Sequence, residues 1–334
     1  MSTAAGSAVH ASRGNLMRAL AGLAAALLLA APALSQGYPA RPIRFIAPFA
    51  PGGGSDIIAR KLAQELGRAL GQAVVVENRT GGSGVIGADA TAKAPPDGYT
   101  IMMTTPTFTV NPGLMRKLPY DALRDFAPVA LIATAPHLLA VHPSLPAKTV
   151  RDVVALAQAR PEHLTFSSGS TGGSSHLSGE LFNSIAKIRM THIPYRGGGQ
   201  AVLAMISGEV SLGFVDLVST LPYVKSGHLR GIALTGLKRS AILPDTPTVA
   251  ESGYPGFQSG IWYGVVATGR TPQDIIARLN TELVRIVRTP EFTNSLSAEG
   301  ADVVAGSPEA FGEFLKAEIA RWAGVIRGAK IELQ

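Results

Sequence analysis

Three times in this 334-residue chain a short apolar run enters a glycine-rich loop that opens onto a helical pattern. "IRFIAPF" (43–49) runs into "PGGGSD", "LTFSSGS" (164–170) into "TGGSSH", and "MTHIPY" (190–195) into "RGGGQ". Between these points the apolar period keeps switching from 2 to 3.6. A strand, a covering helix and a second strand form a βαβ unit, whose strands pair in parallel with helices on the sheet faces.

The first unit reads as strand 43–49, a helix from Asp56 with Ile58, Leu62, Leu66 and Leu70 on one face, strand 73–78, helix 84–94 and strand 99–105. A second unit starts near "HLLAVHP" (137–143). Thr149 caps a helix reaching about Arg160, with Asp152 placed for a capping box. Strand 164–170, helix 175–186, strand 190–195, helix 199–208, strand 210–216, helix 216–227 and strand 229–236 follow. One more strand spans 259–268, then come helices, the first with Thr271 as cap and Pro272 at its first position. Two α/β units with mostly parallel sheets result, and the strands at 137–143 and 259–268 are the expected crossings between them.

The first 35 residues read as a secretory signal. Arg13 and Arg18 precede the apolar run "ALAGLAAALLLAAPA" (19–33), and the small residues Ala31, Ala33 and Ser35 offer cleavage after Ala33 or Ser35. The run falls short of the roughly 20 residues a membrane span needs, and Pro32 interrupts it. With no Cys anywhere, disulfides, thiolate catalysis, Cys-held metals and a lipid-modified cleavage site are excluded. The formal charge of +7 drops to +5 without Arg13 and Arg18. Its basic residues are spread out and aromatics are few, so the balance reads as a mild bias toward small anions or as ordinary surface charge, and not as a nucleic-acid footprint.

"GGSGVIG" (81–87) contains G-x-G-x-x-G at Gly82, Gly84 and Gly87. A dinucleotide site puts that pattern after the first strand and an acid at the end of the next. Here it follows the second strand, and the next one ends in Thr104 and Thr105. The glycines are therefore expected to serve a tight turn. "FAPGGGSD" (49–56) carries more weight, because it leaves the first strand where ligands of open α/β sheets bind. Helix-start N–H groups attract anions, and Gly52, Gly53 and Gly54 let one approach the main chain. Asp56 is expected to act as the helix N-cap. The loops at 167–176 and 194–200 repeat the device, and their N–H and hydroxyl donors suit a carboxylate.

No catalytic set emerges. G-x-S-x-G is absent, Ser184 and Lys187 form S-x-x-K inside a helix without partner motifs, and the seven His show no metal spacing. His137 and His142 are five apart, and His176 reads as a loop-fixing or helix-start residue rather than a general base.

In "YPARPIRFIAPFAPGGGSDIIAR", "VVVENRTGGSGVIGADATAKAPPDGYT", "NPGLMRKLPYDALRDFAPVALI", "SSGSTGGSSHLSGELF", "HIPYRGGGQAV" and "LPDTPTVAESGYPGF" the chain resembles the Bug-type periplasmic solute receptors of tripartite tricarboxylate transporters. "VVATGRTP" (265–272) departs from the usual "APAGTP". The resemblance implies an α/β, two-lobed type II periplasmic binding protein fold with a cleft between lobes. Lobe one would be 38–138 plus 260–334 and lobe two 139–259. It implies a monomer in the periplasm that takes a small carboxylate, hands it to membrane transporter subunits, and uses no cofactor, metal, nucleic acid or catalysis. Carried onto this sequence, the ligand contacts are Phe49, Gly53, Gly54, Ser55, Thr105 and Thr107 from the first lobe. From the second they are Ser168, Ser170, Thr171, Gly172, His176, Tyr195 and Asp216. The competing readings are a secreted α/β enzyme, hydrolase-like or nucleotide-dependent, and a sensory receptor that presents its ligand to a membrane signalling protein.

Overall fold

The computed structural model describes residues 37–328, so the expected signal segment and its cleavage point lie outside the described residues. The first α/β unit forms from β1 (Ile43–Ala47), α1 (Gly54–Leu70), β2 (Val74–Asn78), α2 (Val85–Ala92), β3 (Thr100–Thr104) and α3 (Pro106–Leu114). β4 (Phe126–Val141) leads to α4 (Val150–Ala159), β5 (Thr165–Ser168), α5 (Ser174–Ala186), β6 (Thr191–Pro194), α6 (Gly198–Ile206), β7 (Leu212–Asp216), α7 (Leu217–Lys225) and β8 (Arg230–Leu234). β9 (Gly260–Thr268), α8 (Gln273–Val287), α9 (Pro290–Ser297), β10 (Asp302–Val303) and α10 (Pro308–Gly328) complete the order.

The sheet is mixed rather than mostly parallel. Its strands run β2-β1-β3-β9-β4-β7-β5-β6, with β8 and β10 also pairing β4. Parallel pairs survive within each unit, β1 with β2 and β3, and β5 with β6 and β7. Antiparallel pairing is confined to β4 and β9 and their neighbours. The expected crossing at 137–143 is only the end of β4. Residues 126–136 pair β9, while 137–141 pair β7 and 138–141 pair β8, so one strand belongs to both halves of the sheet.

Each half has its own core. Phe108, Tyr120, Phe126, Trp262 and Phe311 fill the first, and Phe166, Phe182, Phe214 and Phe257 the second. α1 shows how periodicity becomes packing: Ile58, Leu62 and Leu66 are fully buried, and the helix packs on β2 and α8. Each such side chain contributes about 1.5–3 kcal/mol relative to exposure. The helix stops at Gly71, whose φ of 67° closes it in the left-handed region. α4 starts with the expected capping box: the Thr149 side chain accepts from Asp152 N–H, and the Asp152 carboxylate accepts from Thr149 N–H.

Two expected caps are corrected. The N-cap of α1 is Gly53, and Asp56 lies inside the first turn. The Asp56 carboxylate accepts from Gly52 N–H at 3.1 Å and Asn78 Nδ2 at 2.8 Å, and pairs with Arg60 at 3.0 Å. Burial pushes its pKa up, but these bonds outweigh burial and hold it below the usual carboxylate range. At α8 the cap is Pro272, because the Thr271 hydroxyl donates backwards to the Thr268 carbonyl at 2.6 Å.

The G-x-G-x-x-G segment is a turn. Gly82–Gly84 form one 3-10 turn, and Gly84, the residue before α2, has a φ of 87° that favours glycine. Its Ser83 hydroxyl donates to the Thr171 carbonyl at 3.0 Å, so this turn holds the loop after β5.

Candidate functional site

A cavity of about 60 Å³ lies beyond the C-terminal ends of the parallel strands, where open α/β sheets place ligands. Five helix starts converge on it. α1 supplies Gly53, Gly54 and Ser55, and α3 supplies Thr105 and Thr107. The loop into α5 supplies Gly169, Ser170, Gly173, Ser174 and Ser175. α6 and α7 supply Gly198 and Asp216. At α1, α3, α5 and α6 the N-cap residue itself makes no side-chain cap, although the first N–H of α1, that of Gly54, already meets Asp216. Their first N–H groups carry the positive ends of four helix dipoles, so negative charge is favoured here. No Lys or Arg lines the cavity. Charge is thus to be met by main-chain N–H groups and hydroxyls.

Asp216 is 8% exposed and is the one carboxylate in the wall. It accepts from Val218 N–H at 3.0 Å, from Gly54 N–H and from the Tyr263 hydroxyl in a short bond. Burial raises its pKa to about 6 although the Tyr263 and backbone donors pull it down. Gly54 is required for this contact, since a Cβ there would stand 1.7 Å from Asp216 Oδ2.

His137 on β4 is fully buried in the cavity wall, and burial lowers its pKa to about 3, which keeps the ring neutral. Its hydrogen-bond chain fixes the tautomer. Ser178 Oγ spends its proton on the Ser174 carbonyl at 2.7 Å, so it accepts from His137 Nδ1–H at 2.9 Å. His137 Nε2 then accepts from the Ser174 hydroxyl at 3.1 Å.

Of the residues singled out from sequence, Phe49, Gly53, Gly54, Ser55, Thr105, Thr107, Ser170 and Asp216 line the cavity. Ser168, Thr171, Gly172, His176 and Tyr195 are not in that wall. Ser168 is buried behind it, its Oγ donating to the Ser170 carbonyl and accepting from His192 Nε2 at 2.6 Å. His176 Nδ1 accepts from Gly172 N–H at 3.0 Å, and its ring stacks on His192 at 3.8 Å. Burial depresses both His pKa values, to about 4 for His176 and about 3 for His192, where the neighbouring His176 adds to the effect. His176 thus fixes the loop. Thr171 and Tyr195 belong to an adjoining groove with Arg196 and the 81–84 turn, and the Tyr195 hydroxyl donates to Glu209 at 2.8 Å. Of the third glycine loop, Gly198 reaches the cavity, while Gly199 lets the chain pass Pro51, whose carbonyl a Cβ would approach to 2.8 Å.

Sequence reasoning missed His137, Ser174 and Ser175. His137 read as one member of a meaningless pair with His142. The signal for the two serines was present: both lie in "GGSSH", at the start of a helix whose cap is a glycine. α3 was missed as an element, although Pro106 after Thr105 is a helix-start signal.

Among the described residues no group of three metal-ligating side chains occurs, and no helix is long and apolar enough to cross a membrane. The sequence pattern described as tripartite tricarboxylate transporter family receptor matches residues 58–331. Protein BugT of Bordetella pertussis is 38% identical over 308 residues, covering 91% of this chain and 94% of that protein. The structure of R. palustris Rpa4515 with adipate superposes with a TM-score of 0.86 at 36% identity, over 89% of this chain and 100% of that one. MatC (Rpa3494) from Rhodopseudomonas palustris with bound malate gives a TM-score of 0.82 at 31% identity, over 86% and 100%.

Proposed function

The chain belongs to the tripartite tricarboxylate transporter receptor family, and on that premise we propose that it is a periplasmic receptor that captures a small organic carboxylate without chemically altering it. The observation that carries this reading is the convergence, on one cavity free of Lys and Arg, of four helix starts whose own N-cap residues make no side-chain cap. Such a wall supplies many neutral donors and four aligned dipoles, enough to replace the hydration of a carboxylate. Two relatives hold adipate and malate, both small organic carboxylates.

In this reading the lobes are 38–138 plus 260–334 and 139–259, and the ligand works by touching both. Main-chain contact between the glycine loops, Ala50 N–H to the Arg196 carbonyl at 3.1 Å, and the Ser83–Thr171 bond hold the lobes together. A ligand bridging the helix starts adds its differential affinity to these contacts and shifts the population toward the closed form. The loaded monomer then delivers its ligand to membrane transporter subunits. An enzyme is disfavoured because Asp216 is bound up in fixed hydrogen bonds, and in the hydroxyl–imidazole pair of the wall, Ser174 with His137, burial holds the imidazole pKa at about 3, too weak a base to take the serine proton.

A thermal screen tests the proposal. Protein refolded to strip any carried ligand is melted with C4–C6 dicarboxylates, citrate, acidic amino acids and benzene carboxylates. A ligand at a hundredfold excess over its Kd adds about 2.7 kcal/mol, and each kcal/mol raises the Tm by roughly 2–4 °C. A shift with at least one carboxylate is expected. A shift with neutral sugars or cations alone refutes the reading, and consumption of the hit over hours replaces the receptor by an enzyme.

A further inference from the structure

The cavity wall is rich in donors, yet one corner of it can only accept. Asp216 and Ser174 both line the cavity, and each stands beside His137. Asp216 is the register partner of His137 across the β4–β7 pair. Ser174 donates its hydroxyl proton to His137 Nε2. The direction of that bond is fixed from behind, because Ser178 Oγ gives its own proton to the Ser174 carbonyl and must accept from His137 Nδ1–H. Ser174 Oγ therefore offers lone pairs and no proton to a ligand.

Asp216 offers the same. Its ionised carboxylate has room for about four donors, and Val218 N–H, Gly54 N–H and the Tyr263 hydroxyl supply three. A ligand carboxylate seated at the neighbouring helix starts meets this negative charge with no Lys or Arg in the wall to offset it. A donor on the ligand removes the conflict, because a hydroxyl or ammonium can bond to Asp216 and Ser174 while the carboxylate beside it takes the N–H groups of α1 and α5.

We propose that Asp216 and Ser174 form a donor-reading corner that selects acids bearing a hydroxyl or ammonium group on the carbon next to the carboxylate, over the same acids without it. This rests on the carboxylate-receptor reading and narrows it to 2-hydroxy and 2-amino acids. The two variants of that chemistry differ in charge, and the ligand series below separates them.

The test is calorimetric titration of refolded protein with three matched series: succinate, malate and aspartate; glutarate, 2-hydroxyglutarate and glutamate; phenylacetate, mandelate and phenylglycine. A hydrogen bond to a charged group sets the scale, so in at least one series a substituted member should bind about tenfold or more tighter than its parent. Asp216→Asn, in which the side-chain oxygen can still cap α7, should reduce that preference to threefold or less. Ser174→Ala should lower it too, and it decides the matter if melting shows that Asp216→Asn does not fold. If parent acids bind as tightly as their substituted forms, or if the preference survives both variants, the corner does not read donors, while the carboxylate reading stands. If no member of any series binds, the corner reading falls, and the broader thermal screen above decides the carboxylate reading by itself.

Discussion

Gly54→Ala is the most informative single change, because the cost can be worked from the geometry. Alanine at an exposed helix position normally gains about 1 kcal/mol over glycine. At Gly54 the new Cβ would stand 1.7 Å from Asp216 Oδ2, 2.7 Å from its Cγ and 2.5 Å from the Tyr263 hydroxyl oxygen. Asp216 must withdraw, which breaks its bonds to Gly54 N–H and Tyr263. Each hydrogen bond to a buried charge contributes about 1.5–3 kcal/mol. Less the helix gain and partial readjustment, the net loss is about 2–4 kcal/mol. A domain of this size then melts roughly 5–10 °C lower. Gly324→Ala in α10 is the control, since nothing lies within 4 Å of its Cβ position, and it should melt at or above the parent temperature. The assay is a pair of thermal melts followed by far-UV circular dichroism. If Gly54→Ala melts within 2 °C of the parent, the Asp216–Gly54–Tyr263 contact does not carry the weight assigned to it.

Gly53→Asp puts a carboxylate beside the first N–H groups of α6, where it competes with the ligand; binding of any carboxylate hit should fall more than about tenfold by calorimetry while the fold survives. Thr149→Ala removes the cap of α4 and should cost about 1 kcal/mol in urea unfolding. His137 has a folded pKa of about 3 and an ordinary one of 6.5, so the unfolded chain takes up the proton first and stability falls as pH drops below 6.5. Between pH 7 and 5 that linkage costs about 2 kcal/mol; in His137→Asn the loss measured over this window should be smaller by that amount, and an unchanged slope contradicts a buried neutral ring. Titration with NAD, FAD or ATP should give no saturable signal, because Gly82, Gly84 and Gly87 shape a turn.

The fold was legible because its signals are local. Period switching marked most strands and helices, and a single Thr–x–x–Asp fixed the start of α4. What stayed hidden depends on contacts between distant segments. Asp56 reads as a cap in sequence, but the helix starts two residues earlier, since Gly54 N–H finds Asp216 more than 160 residues away. β4 reads as a seven-residue strand at its far end because Pro128 and Pro136 interrupt the apolar run, yet the strand passes through both and serves both halves of the sheet. The glycine loops announced the site as a place, and eight of the residues that the family resemblance carries onto this sequence line the cavity. Their sequence does not say which way each side chain turns. Ser168 and His176 face backward onto His192, and His137, on a strand with no loop signal, supplies part of the wall.

The central claim is that a ligand carboxylate sits on the first-turn N–H groups of helices from both halves of the sheet. A crystal structure of the protein with the acid that most raises its Tm measures this directly. The account predicts carboxylate oxygens about 2.7–3.0 Å from main-chain N–H groups or hydroxyls at Gly53–Ser55 or Thr105–Thr107 on one side and Ser170–Ser175 on the other. A ligand seated in the outer groove by Tyr195 and Arg196, or held by a single half of the sheet, would contradict it.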